Sequence, residues 1–210
     1  MKKILAILFL ILCQFGFGQS YEFDYIIEYK SMLNDSIGTS VFYLTNSKDN
    51  QYRASFQSID KNRFALSFYK HGRINFHTTI KKSDFYKAET IVYKGKNYKI
   101  KTIGKALAKK VSFQNLKDTI IDEKPYKRYV FNSNPDIINL RTFYIVEPKT
   151  EFHLPILSNV DSFVEWTVEK NIPDGIYKEI YYLNPKGEMV EAYYKLVAYQ
   201  KYKKFISIKN

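Results

Sequence analysis

The sequence predicts an all-β, mainly antiparallel fold, in which about ten strands form one strongly curved meander sheet shaped as a half-barrel or open barrel. Three observations predict it. Apolar and polar residues alternate with a period of two in one segment after another, and turn residues separate the segments. Aromatic residues are abundant, with 19 tyrosines, 16 phenylalanines and one tryptophan. A long aromatic-rich hairpin near residue 180 needs a large sheet to lie on.

Residues 1–18 have the features of an export signal. A lysine pair precedes the apolar run 4–12, which is too short to span a bilayer, and Gly16 and Gly18 supply small residues before a cleavage site at Gln19. We therefore expect an exported protein that resides in the periplasm or at the outer-membrane or extracellular surface.

Residues 19–210 are expected to form a single β-rich domain. No Pro-, Ser- or Gly-rich linker and no fixed-period repeat divides them. The only cysteine, Cys13, lies in the predicted signal. The domain thus has no disulfide and no thiolate ligand, and a hydrophobic core must hold it together.

The net charge of +12 bears on the class of partner. For an exported protein the natural anionic partners are envelope polysaccharides and lipid head groups, and we expect no nucleic-acid partner. The lysines are spread along the whole chain, which is typical of a solvated outer face. Peripheral contact with an anionic membrane surface is a further expectation.

The first predicted strand places Phe23, Tyr25, Ile27 and Tyr29 on one face and mostly charged residues on the other. The same alternation predicts further strands, several of them paired in hairpins, with 89–93 pairing with 98–103. These segments are 41–45, 52–56, 64–68, 74–78, 89–93, 98–103, 119–121, 126–131 and 140–146.

Three segments depart from this pattern. The helix-favouring residues 104–110 predict a short helix or loop that plugs or flanks the sheet. Residues 152–160, with Pro155 in an apolar stretch, predict a loop laid against the sheet. Residues 163–168, centred on Trp166, are predicted to lead into the final hairpin.

That hairpin is the clearest local signal. The strand 177–183 is followed by a Pro/Gly turn at 184–187 and by a second arm of up to about a dozen residues, predicted to end before Lys203 and Lys204.

No residue pattern indicates catalysis, a metal or a cofactor, and we expect a non-enzymatic protein. Ser67 and Lys70 match a Ser-x-x-Lys motif, but on a strand they point to opposite faces. His71 and His77 lack metal-ligand spacing and are expected at the surface or in turns. His153 is expected to be a loop residue that hydrogen-bonds backbone.

The candidate binding residues are aromatic, and each either lines a hydrophobic cavity or forms part of the core. Both alternatives stay open at the level of the sequence. The candidates are Tyr25, Phe42, Phe56, Phe64, Phe68, Phe76, Tyr144, Trp166, Tyr181 and Tyr193.

Two segments, 119–129 and 171–176, resemble the secreted GLPGLI-type proteins of Bacteroidota. In the second segment Ile172, Pro173 and Ile176 correspond to positions of the Gly-Leu-Pro-Gly-Leu-Ile signature. The resemblance covers roughly residues 111–202. It implies an envelope protein whose sheet is like the half-barrel of periplasmic lipoprotein carriers, with an apolar concavity and no catalytic residue.

Two hypotheses of function follow. In the first, the concavity binds an apolar or amphiphilic small molecule such as a lipid or acyl chain. In the second, the domain is a structural or interaction module that recognises an envelope protein through a sheet edge or an aromatic patch.

Overall fold

The computed structural model describes residues 19–33, 36–71, 74–95, 111–135, 139–158 and 160–209. These residues form eleven strands, two short α-helices and one 3-10 turn (Pro148–Thr150). The helices are α1 (Lys82–Lys87) and α2 (Val160–Glu169). The strands are β1 (Gln19–Leu33), β2 (Ser36–Asn46), β3 (Asp49–Ser58), β4 (Arg63–Lys70), β5 (Ile74–Lys81), β6 (Thr90–Lys94), β7 (Ser112–Ile121), β8 (Lys124–Asn132), β9 (Arg141–Val146), β10 (Tyr177–Leu183) and β11 (Met189–Lys209).

The strands form one open, curved sheet in the order β5-β4-β3-β2-β1-β11-β10-β9-β8-β7. Neighbours along this path pair antiparallel, as in a meander whose two halves meet at β1 and β11. The predicted all-β, mainly antiparallel fold class is confirmed. Within the described ranges no helix is long and apolar enough to cross a bilayer.

Strand β6 departs from the antiparallel rule. It pairs parallel with the C-terminal end of β11, from Phe205 opposite Thr90 to Lys209 opposite Lys94. The sequence correctly predicts this strand. Its predicted hairpin partner at 98–103 and the predicted helix or loop at 104–110 lie outside the described residues.

The central strands are unusually long, with 15 residues in β1 and 21 in β11. The prediction that the last strand ends before Lys203 is wrong, because β11 continues to Lys209. Both lysines fit within it: the Lys203 side chain is exposed, whereas Lys204 is buried and hydrogen-bonds the end of α1.

Two hydrophobic clusters form the core. The first contains buried residues of β2 to β6, α1 and the end of β11, and the second contains residues of β7 to β10 and of the segment between β9 and β10. Strand β1 serves both clusters. Phe23 belongs to the first and Ile27 to the second, on either side of a register shift between Phe23 and Tyr25.

Both faces of the sheet are therefore covered. Leu44, Ala54 and Phe68 are register partners on the face of the first cluster. Thr45, Arg53 and Tyr69 are register partners on the opposite face, since adjacent residues of a strand point to opposite sides. The second face is the one that the candidate site occupies.

No helix is predicted at 163–168, and the structure shows that these residues belong to α2. Phe163 and Val164 are adjacent apolar residues, which breaks a period of two. Together with Val160 and Thr167 they recur every three to four residues, as on one face of a helix. Helix α1, with Phe85 buried in the first cluster, is not predicted by the sequence either.

Candidate ligand site beneath the strap

The segment 148–158, which we call the strap, connects β9 towards α2 and lies against the second face of the sheet. The prediction of a loop at 152–160 is confirmed as far as Ser158, and Val160 already begins α2. His153 and Leu157 are the buried anchors of the strap, with exposed fractions of 1% and 2%. The strap is therefore anchored at alternate buried residues from 153 to 157, while Phe152 and Ser158 are exposed.

Hydrogen bonds attach the strap to the β2–β3 hairpin. The Leu154 amide donates to the carbonyl of Ser47 at 3.0 Å, and the Lys48 ammonium donates to the carbonyl of Phe152 at 3.1 Å. Further along, Asn50 Nδ2 donates to the carbonyl of Pro155 at 3.2 Å. These contacts hold the strap backbone at a fixed height above β2 and β3.

His153 makes two further hydrogen bonds at the centre of the strap. Its Nδ1 donates to the carbonyl of Leu154, and its Nε2 lies 2.8 Å from Thr45 Oγ1. Burial lowers the pKa of His153, so the neutral tautomer with the proton on Nδ1 fits both contacts, and the Thr45 hydroxyl donates to Nε2. The predicted role of His153 as a loop residue that bonds backbone is confirmed.

A cavity of about 220 Å³ lies beneath the strap. It is smaller than the roughly 300–1,000 Å³ of most small-molecule sites, so it fits a short molecule or one end of a longer one. Its wall is formed by the strap and by six strands, β1, β2, β3, β9, β10 and β11. The lining residues are Tyr29, Tyr43, Arg53, Tyr144, Ile156, Ser158, Tyr177, Ile180, Tyr182 and Tyr194.

Three of the six tyrosines are fixed by hydrogen bonds. Tyr29 donates to the carbonyl of Tyr177 at 2.9 Å, and Tyr177 donates to the carbonyl of Ile156 at 2.7 Å. The Tyr144 hydroxyl lies 3.3 Å from Ser158 Oγ. Burial raises the pKa of Tyr29 and Tyr177, and it raises the pKa of Tyr144 to about 12. The hydroxyl groups are therefore neutral, and the wall is aromatic with polar points at defined places.

Arg53 is the only charged residue among the described residues that line the cavity. Its Nη2 donates to the carbonyl of Ser158 at 2.7 Å. Its guanidinium carbon lies 4.8 Å from the ring centre of Tyr69 and 5.5 Å from that of Tyr43, within the range of cation–π attraction. Its Nε is buried and has no hydrogen-bond partner in the part of the chain that the structure describes.

The predicted binding residues do not line one common cavity. Five of them belong to the first cluster, on the face of the sheet opposite the cavity. Four are buried there, Phe56, Phe64, Phe68 and Phe76, and Phe42 packs against them. Of the two alternatives that the sequence leaves open for these five rings, the structure places them in the core.

The other five are divided among several places in the structure. Tyr144 lines the cavity, and Tyr25 contacts the rings of Phe152 and His153 of the strap. Trp166 lies on α2. Tyr181 stacks on Phe143 with 5.0 Å between ring centres, and Tyr193 lies 6.5 Å from Tyr181.

Sequence reasoning missed Arg53 and most of the cavity tyrosines. The alternation in β3 assigns Arg53 to the polar face, which a half-covered sheet exposes to solvent. One signal was available. Tyr43 on β2 and Tyr69 on β4 also lie on the face opposite the first cluster. Large aromatic residues on the nominally polar face indicate that this face is covered too.

An open groove of about 800 Å³ lies beside the cavity, between the β2–β3 turn, the strap and α2. Phe163 and Trp166 form its aromatic wall, and Lys170 Nζ lies 5.6 Å from the Trp166 ring centre. His71 lies in a turn and is half-buried, and its ring stacks on Phe163 with 4.8 Å between centres, whereas His77 is exposed. Both histidines thus lie at the surface or in a turn, as predicted. The described residues contain no group of three or more His, Cys, Asp and Glu that could hold a metal ion.

No protein-family model and no curated protein matches this chain. Eleven chains of solved structures are similar to it, and two of them are as follows. The crystal structure of MucB has 7% sequence identity and a TM-score of 0.41, with 85% of this chain and 53% of that chain covered. A chain in the complex structure of Pseudomonas aeruginosa MucA/MucB has 9% identity and a TM-score of 0.43, with 88% and 52% covered. The chain thus spans about half the length of these structures.

Proposed function

We propose that this protein is an exported, non-catalytic binding module of the cell envelope, and that it holds an apolar or amphiphilic ligand in the cavity beneath the strap. The observation that supports the proposal is the cavity itself. Six tyrosine rings and two isoleucines surround a volume of about 220 Å³ that the protein's own side chains leave unfilled. Such a wall binds hydrocarbon or an aromatic ring and offers a few polar contacts.

Export and envelope location are part of the proposal. The predicted signal at 1–18 and the resemblance of 171–176 to the GLPGLI signature support them. Intact-mass measurement on protein isolated from its own envelope tests the first point, and the expected mature N-terminus is Gln19. A mature protein that retains the apolar run 4–12 would contradict cleavage at this site.

Native mass spectrometry of the isolated protein, followed by lipid extraction, tests the ligand. The expected result is a stoichiometric small apolar or amphiphilic species. A protein without any such species, which also fails to take up short-chain amphiphiles in titration, would overturn the proposal.

A pair of adjacent variants locates the site. Ile180 lines the cavity, whereas its neighbour Tyr181 stacks on Phe143 on the other face of β10. Ile180→Trp fills the cavity and is expected to abolish ligand binding, while Tyr181→Trp is expected to preserve it. Circular dichroism and thermal unfolding confirm that both variants fold, because overpacking destabilises a protein by about 1–3 kcal/mol.

The open groove supports a second candidate function, recognition of an envelope protein. Phe163 and Trp166 present aromatic surface in it, and aromatic residues are enriched at protein interfaces. Cross-linking in the native envelope tests this candidate. A cross-linked polypeptide that is lost with Trp166→Ser and kept with Ile180→Trp would favour the interaction module over the ligand carrier.

A further inference from the structure

The charge inside the cavity is unbalanced. Arg53 carries a positive charge, and no Asp or Glu is found among the described residues that line the cavity. The Arg53 side chain is partly exposed, and a guanidinium cation in a largely apolar wall is a place where an anion can bind. The one side-chain hydrogen bond found for Arg53 in the described residues ends on the neutral carbonyl of Ser158.

The orientation of Arg53 leaves a strong donor unused. Its Nε is buried without a hydrogen-bond partner in the described residues, although buried polar atoms are nearly always paired. Nε is part of the planar guanidinium fork that binds carboxylates through two parallel hydrogen bonds. The guanidinium carbon lies within cation–π range of the Tyr43 and Tyr69 rings, and Nη2 is hydrogen-bonded to the strap, so these contacts restrain the side chain without a bound partner.

Apart from Arg53, the described residues of the cavity wall are uncharged. Ile156 and Ile180 and the tyrosine rings provide apolar surface beside the guanidinium group. The hydroxyl protons of Tyr29 and Tyr177 are already donated to backbone carbonyls. The cavity thus complements a molecule with one anionic end and a short apolar body.

We infer that the ligand is an organic acid, in which a carboxylate binds Arg53 and a short hydrocarbon chain contacts the tyrosine wall. The inference rests on the proposed function, since it names the class of ligand that the same cavity takes. A carboxylate is favoured over a larger phosphate head group because the volume of about 220 Å³ must also hold the chain. The carboxylate pairs with the Arg53 guanidinium group and neutralises the charge in the cavity.

The experiment compares matched probes by isothermal titration calorimetry: octanoate, 1-octanol and octyl phosphate. Octanoate is expected to bind the wild-type protein at least about tenfold more tightly than octanol, since charge-assisted hydrogen bonds are roughly twice as strong as neutral ones. Arg53→Gln keeps an amide donor for the strap carbonyl but has no charge. It is expected to lose most of the preference for octanoate while octanol binding stays within about twofold.

Arg141→Gln is the matched control. The Arg141 guanidinium carbon lies 5.2 Å from the ring centre of Phe143, so this variant removes an arginine–aromatic contact outside the cavity. Arg141→Gln is expected to change neither the affinity for octanoate nor the affinity for octanol. Equal binding of octanoate and octanol, or an unchanged preference in Arg53→Gln, would overturn the carboxylate inference and leave the proposed function standing. Tighter binding of octyl phosphate would overturn the choice of carboxylate, and binding of none of the probes would overturn both proposals.

Discussion

Thr45 Oγ1 lies 2.8 Å from His153 Nε2, and this contact joins the end of β2 to the centre of the strap. Both residues are almost fully buried, with exposed fractions of 3% and 1%. Because His153 Nδ1 is occupied by the carbonyl of Leu154, Nε2 depends on Thr45 for its hydrogen bond. The contact therefore stabilises the position of the strap above the cavity.

Thr45→Val tests this contact. The variant keeps the shape of the side chain but leaves His153 Nε2 buried without a partner, which is expected to lower the free energy of unfolding by about 1–3 kcal/mol. Urea denaturation measures the change. Thr79→Val, on the exposed side of β5, is the control and is expected to stay within about 0.5 kcal/mol of wild type. Equal midpoints for the two variants would show that the contact contributes nothing.

Lys204 stabilises the end of α1 from within β11. Its ammonium group donates to the carbonyls of Phe85 and Ala88, at the negative end of the helix dipole, and its exposed fraction is 2%. Lys204→Met leaves both carbonyls without this donor and is expected to cost about 2 kcal/mol in urea denaturation. Lys203→Met removes an exposed ion pair of 3.7 Å with Glu89 and a cation–π contact of 5.3 Å with the Phe205 ring, and it is expected to cost less than about 1 kcal/mol. A larger loss of unfolding free energy for Lys203→Met than for Lys204→Met would contradict the stabilising role of Lys204.

His71 makes stability depend on pH. Burial, and then the nearby charge of Arg53, lower its pKa to about 3 from a usual value near 6.5. Between these two values the unfolded chain binds a proton that the folded protein does not, so the free energy of unfolding falls as the pH decreases from 6.5 towards 3. By pH 5 the loss that His71 causes is about 2 kcal/mol.

Urea denaturation at pH 7, 6 and 5 measures this loss. His71→Gln cannot titrate, so the fall in its free energy of unfolding from pH 7 to pH 5 is expected to be about 2 kcal/mol smaller than that of wild type. Parallel pH profiles for the two proteins would contradict a depressed pKa of His71 in the folded state.

The sequence predicts the strands of this fold well because alternation is a local property. Phe23 and Ile27 alternate with polar residues whatever the rest of the chain does, and a turn such as 184–187 is encoded by its own Pro and Gly. The partner of β6 and the full length of β11 depend on contacts between distant segments. From the sequence alone, the lysine pair 203–204 indicates that the strand has ended. Lys204 instead lies within β11, because its ammonium group donates to a backbone carbonyl of a distant segment, α1.

The site is harder to predict than the fold. Tyr144 is among the predicted residues, but the number of aromatic residues does not tell which face of a strand each one occupies or what covers that face. Arg53 is assigned to solvent by alternation and lies beneath the strap only because distant residues such as Ser158 cross over it. A binding residue that tertiary structure buries on the polar face of a strand carries no local signal.

Gly175 lies where the chain returns from α2 to β10, at the base of the strap. Its φ is +138°, and a Cβ at this position would lie 2.5 Å from Val146 Cγ1 and 3.0 Å from Thr150 Oγ1. Thr150 Oγ1 also accepts a hydrogen bond of 2.7 Å from the amide of Ile176, so a shift of Thr150 would break a buried contact. Gly175→Ala is therefore expected to lower the free energy of unfolding by about 3 kcal/mol, from backbone strain and overpacking together.

Gly187 provides the matched control for Gly175. Its φ is +82°, so an alanine there is strained as well, but nothing lies within 4 Å of the position of a Cβ. Gly187→Ala is expected to cost only about 1 kcal/mol, since the left-handed backbone is the sole penalty. Thermal and urea unfolding of both variants measure the difference. Equal losses would mean that the contacts of Val146 and Thr150 yield to the added methyl group, and that the base of the strap is less tightly packed than its distances indicate.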